Sequence, residues 1–204
     1  RHIPVIFYNN YYKDLRYPRV IVDDMLCADR LISLLIQAGH RQIAGIFVYD
    51  NYQSIEKFQG MATALQKYKV DFQDDYIKWC VSNEAHDQSF CRSIDRFLRS
   101  IPRCTAIVCC NYMIYRLVCR TLEAKGKRVP EDYSLVCFDY SGDRWEEEGV
   151  TCSVHQGKRI GRQVAVQLMR MIRHKDYASN DYSLVLDPKI YVGRSIRGLE
   201  LGGE

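Results

Sequence analysis

Three polar side chains each end an apolar run, and the chemistry of the chain starts there. Asn9 follows IPVIFY (3–8), Asn111 follows TAIVCC (105–110), and Asp139 follows SLVCF (134–138). A carboxylate at the end of a buried strand costs free energy unless it is hydrogen-bonded or faces a cleft. Sheets of parallel strands bind ligands at their carboxyl ends. Asp and Asn together accept from and donate to hydroxyl groups, so the trio suits a polar small molecule. Each residue alone serves equally well as a helix cap or turn former, and position in the chain does not separate the two roles. No catalytic set accompanies them. No Gly-rich phosphate loop follows a strand and no Gly-x-Ser-x-Gly elbow occurs. Asp139 and His155 would lack a nucleophile, so no catalytic residue is assigned.

The elements that must position these residues alternate along the chain. Short apolar runs occur at IAGIFV (43–48), YIKWC (76–80), TAIVCC and SLVCF. Amphipathic segments lie between them. One runs from a Ser54 cap with Phe58, Met61, Ala62 and Leu65 on one face. The next has an Asp87 cap and Phe90, Ile94, Phe97 and Leu98. A third carries Met113, Ile114, Leu117, Val118 and Leu122 and stops at Gly126. This alternation predicts an α/β fold of parallel strands joined by crossover helices. An earlier helix is predicted from Asp23–Asp24 to Gly39. A later one spans 157–174, with Ile160, Val164, Leu168 and Met171 inward. IPVIFY is expected as a buried strand, and YSLVLD (182–187) and KIYVG (189–193) as closing strands.

Composition excludes several classes. Of 204 residues, 47% are hydrophobic and 26% charged, and the net charge is only +4. No dense basic block argues for nucleic-acid binding by this segment. No apolar run approaches the roughly 18 residues of a membrane span. Nine cysteines lack metal-ligand spacing and mostly sit in apolar runs. Buried thiols in a reducing compartment are expected, which points to the cytoplasm, with no metal and no cofactor.

The ordered motifs resemble one family. IVDDMLCADRLISLLIQAGHRQIAGI is similar to the segment of lactose/galactose-repressor-type regulators in which an acidic pair opens a helix ending in Gly-His. SIEKFQG, TAIVCCNYM, KRVPEDYSLVCFDY, VTCSVHQGKRIG and YVGRSI resemble further motifs of that family, in the right order. GIFVYDNYQSIEKFQGM resembles the arabinose-repressor branch, whose members carry a winged-helix DNA-binding domain upstream. The resemblance implies a type-I periplasmic-binding-protein-like fold of two Rossmann-like lobes, the first largely missing from this chain. Residues 1–22 would be a remnant of the N-terminal lobe and 23–154 the C-terminal lobe. Residues 155–180 would be a helix returning to the first lobe, and 181–204 closing strands of the second lobe and tail. Crossings are expected near Val22, His155 and Asn180.

Carried over position by position, the family's effector contacts fall on Asn9, Lys57, Asn111, Asp139, His155 and Gln156. Lys57 stands where the family often has Arg, and cannot make an Arg's flat bidentate fork. Asn9 replaces a frequent Asp, and Tyr112 replaces the usual Asp after Asn111. Trp79 is the candidate for an apolar wall. The implied effector is a monosaccharide such as arabinose. The implied partners are a second copy of the chain and, through the upstream domain alone, operator DNA. A periplasmic-type sugar-binding protein is the competing reading, and the cysteines argue against it. Asp139→Ala is expected to weaken effector binding and leave the ligand-free protein about as stable.

Overall fold

The structure, a computed structural model, describes residues 3–12, 14–84, 88–142, 144–175 and 182–199. Asp87 and Asn180 lie outside the described residues. Two sheets result. The larger has six strands in the order β4 (Ile77–Cys80), β3 (Ile43–Val48), β5 (Ala106–Cys109), β6 (Ser134–Tyr140), β7 (Thr151–Val154) and β9 (Ile190–Tyr191). Every pairing in it is parallel except β7 with β9. Its central strands β3 and β5 are buried along their whole length, as continuous apolar runs covered on both faces should be. The helices α1 (Asp24–Gln37), α2 (Tyr52–Lys67), α3 (Gln88–Ser100) and α4 (Tyr112–Glu123) accompany this sheet, and their apolar faces join its core. A short helix, α5 (Trp145–Glu148), precedes β7.

The helix ends follow from local chemistry. Asp23 caps α1 by accepting from the Leu26 amide at 2.8 Å. Gly39, at φ +91°, lets the chain leave that helix in a conformation L side chains rarely adopt. The predicted Ser54 cap is corrected: α2 begins three residues earlier and Asn51 caps it, accepting from the Ser54 amide. The Ser54 hydroxyl instead accepts from the Val48 amide at 2.9 Å, tying the helix to the end of β3.

The smaller sheet places β2 (Arg19–Val22) between β1 (Phe7–Tyr8) and β8 (Leu184–Leu186), all parallel. Ile160 of α6 (Gly157–His174) packs on it beside Val20 and Leu186. Two expectations change here. IPVIFY was expected as a buried strand; only its last two residues are strand, and Ile3, Val5 and Tyr8 are exposed. Among the described residues its strand partner is β2. The segment 181–204 was expected to close the second lobe throughout. Instead β8 joins the first lobe's sheet, beside β2, and only β9 joins the large sheet. The third crossing therefore falls in 187–189, after β8, because β2 offers a free parallel edge there.

Candidate effector site

The three crossings form one seam. The Asp23 amide donates to the Leu186 carbonyl at 2.9 Å, which joins the start of α1 to the end of β8. Gln156 Nε2 donates to the Asp187 carbonyl at 2.9 Å, and Arg159 donates to Gln156 Oε1 at 2.8 Å. Arg30 on α1 donates to the Pro188 carbonyl at 2.8 Å. His155 is exposed, and its backbone amide donates to the Tyr140 carbonyl at 3.0 Å. His155 and Gln156 thus stand at the seam, with the Gln156 amide engaged in it.

A cavity of about 200 Å³ opens at the carboxyl ends of β3, β5 and β6. Lys57, Asn111 and Asp139 line it, with Asn51, Gln53, Ser54 and Met113 among the others. Each arrives by a separate device. Lys57 comes from the first turns of α2, where Gln53 shares its face one turn earlier. Asn111 is the N-cap of α4: its Oδ1 accepts from the Ile114 amide at 2.9 Å, which leaves the Nδ2 amide for a ligand. Asp139 sits at φ +48° where the β6–β7 register shifts. A non-glycine residue in that region is uncommon and marks a backbone held against its preference. Its amide donates to Ser153 Oγ at 2.8 Å, which holds the turn.

The charges interlock. Lys57 is 3% exposed, and its ammonium donates to Asp139 Oδ2 and, at 3.2 Å, to the Cys110 carbonyl. Gln53 Nε2 donates to the same Oδ2 at 3.3 Å. Asp139 Oδ1 has no protein partner among the described residues. Asp24, the first residue of α1, is buried close by. Burial raises its carboxyl pKa to about 7; Lys57 pulls it down and Asp139 pushes it up. Burial also lowers Lys57, but Asp139 and Asp24 outweigh that and hold the ammonium above the ordinary lysine range. A lone lysine therefore serves two carboxylates.

The remaining sequence candidates lie outside this cavity's lining. Asn9 is half-buried after β1, at φ +56°, with its amide on the Val20 carbonyl at 3.3 Å. Trp79 is 39% exposed on edge strand β4, packed against Phe47 and Phe58 with ring centroids 5.8 and 4.9 Å away. Sequence reasoning missed Asn51, Gln53 and Met113, and read Asp24 only as part of a helix start. Met113, expected in the core, is exposed on the cavity wall. The four-residue step from Gln53 to Lys57 was the available signal for Gln53.

The expected mildness of Asp139→Ala does not survive this geometry. The substitution would strand a buried ammonium, which is costly.

A sheet with a polar cavity at its strand ends, joined by three crossings to a second parallel sheet, defines a two-lobed binding domain. The chain belongs to the periplasmic binding protein-like domain family, whose model matches residues 32–196. It is 30% identical over 182 residues to the arabinose metabolism transcriptional repressor of Geobacillus stearothermophilus, covering 85% of this chain and 48% of that repressor. It is 23% identical to the ribose operon repressor of Haemophilus influenzae, covering 97% of this chain and 59% of that protein. The chain spans about half the length of the curated relatives it matches. Among solved structures, a transcriptional regulator in complex with cellobiose superposes with a TM-score of 0.80 at 22% identity, covering 93% of this chain and 58% of that one. A regulator of the LacI family from Enterococcus faecium with bound ribose gives 0.79 at 19% identity, covering 97% and 72%. The relatives are transcriptional regulators rather than enzymes. No helix among the described residues is long and apolar enough to cross a membrane.

Proposed function

We propose that this chain is the effector-sensing part of a transcriptional repressor, and that its effector is a neutral monosaccharide, arabinose first among them. The observation that carries the proposal is the cavity itself. Lys57, Asn111 and Asp139, distant in sequence, meet at the strand ends beside a three-crossing seam. The free carboxylate oxygen of Asp139 and the Asn111 amide match hydroxyl groups. No arginine lines the cavity and Lys57 is already bonded twice, so the wall offers little to a phosphate dianion. At about 200 Å³ it is smaller than the ~300–1,000 Å³ of drug-sized sites. The arabinose and ribose in the names of relatives support the choice of pentose.

In this reading residues 1–22 and the helix after His155 belong to one lobe and 23–154 to the other. Asn9, His155 and Gln156 meet the sugar when the lobes close, and Trp79 stays a peripheral wall. The effector binds the closed form better, and only that difference in affinity shifts the equilibrium. In a cytoplasmic homodimer, closure respaces the upstream DNA-binding heads and operator affinity falls. The test is a thermal-shift comparison of L-arabinose, D-ribose and arabinose 5-phosphate, followed by operator binding of the full-length protein. A neutral pentose should raise the melting temperature and weaken operator binding. A response to the phosphate ester alone, or no operator response at saturation, defeats the reading.

A further inference from the structure

Tyr11 follows β1 in the small sheet, yet its ring is packed against a helix of the other lobe. It is 5% exposed. Its hydroxyl donates to Glu56 Oε1 on α2 at 2.6 Å. The ring meets Tyr52 edge-on, with centroids 5.2 Å apart. The Arg19 guanidinium of β2 lies 4.1 Å from the centroid of the same tyrosine ring. Tyr52 and Glu56 are one turn apart on α2 and share a face. Gln53 and Lys57, each one position further on, share the adjacent face that lines the cavity. The first turns of α2 are therefore gripped from two sides, by the effector cavity and by the first lobe. Neither Tyr11 nor its three partners lie in the crossing segments.

We propose that Tyr11 is an interlobe latch that ties the small sheet to α2 and biases the lobes toward closure before any effector binds. An O–H to carboxylate bond belongs to the strong class, and its donor, Tyr11, is buried. A ligand that needs the closed form then binds with an apparent affinity set by how much of the protein is already closed. That consequence rests on the effector reading above, whereas the latch itself does not.

The test uses the full-length protein with a fluorophore pair, one on each lobe, in wild type, Y11F and E56A. Losing a hydrogen bond to a charged group should lower the closed-to-open ratio roughly tenfold. Ligand-free separation should widen in both variants, and L-arabinose should bind up to about tenfold more weakly. Unchanged ligand-free separation in the variants overturns the latch. If Y11F fails to fold, E56A alone decides. If both variants open but L-arabinose binds none of the three proteins, the effector reading falls and the latch stands.

Discussion

Asp139 holds Lys57 from a left-handed backbone position, so it has a structural role beside the ligand contact proposed for it. Removing one partner of a buried pair typically costs about 3–5 kcal/mol. Asp139→Ala should thus destabilise the ligand-free protein by about 3 kcal/mol in urea unfolding. Adding Lys57→Met should restore most of that loss, since no buried ammonium is then left alone. Equal instability of the single and double variants would show that the strained turn, rather than the ion pair, sets the cost. Asp24 makes a second demand. Its folded pKa is raised from 3.8 to about 7, so the folded state holds its proton more tightly. That contribution to stability is complete below pH 3.8 and is lost as pH rises through about 7. Asp24→Asn should flatten the fall in stability across this window, measured as the difference between variant and wild-type unfolding curves. Parallel curves would mean that Asp24 is ionised throughout.

At the scale of elements, α1 and α2 come into close contact at Gly60. A methyl group there would meet Ala28 Cβ at 2.6 Å and Met25 Cα at 3.1 Å. Gly60→Ala gains about 1 kcal/mol of helix propensity. Overpacking costs about 1–3 kcal/mol, so the net effect should be a lower melting temperature. The α4 terminus separates two roles in one residue. Asn111→Asp keeps the capping oxygen and loses the amide donor. It should leave melting nearly unchanged and weaken pentose binding in calorimetry. The class of fold was legible because buried parallel strands are unbroken apolar runs, as IAGIFV and TAIVCC are. The first residues of α2 were not, because its opening turn, Tyr52–Ile55, carries no apolar stripe to mark where the helix starts. The RVIV strand was missed because its apolar run, 20–22, is only three residues between Arg19 and Asp23 and carries little period. At the site, Asn111 and Asp139 showed themselves by ending apolar runs. The Lys57–Asp139 bond spans 82 residues. No local pattern encodes such a pairing, so the resemblance named Lys57 but the fold alone joined it to Asp139.

At the scale of the whole molecule, burial controls reactivity. All nine cysteines are thiols, with Cys91 and Cys119 half-buried and the others buried. Burial pushes Cys119 up to about 11 and Cys104 and Cys152 to about 12. A thiol reagent at neutral pH should therefore titrate at most Cys91 and Cys119 in the folded protein and all nine in denaturant. More than those two reacting quickly before unfolding would mean that the core opens readily. The seam bears on heredity as well as on motion. The small sheet draws its strands from 7–22 and 184–186 and its helix from 157–174, while the large sheet takes 43–154 and 190–191. Neither lobe is one uninterrupted stretch of gene. A single recombination breakpoint cannot graft one lobe onto another member of the family. Exchange of one lobe between members of this family takes a breakpoint at each of the three crossings.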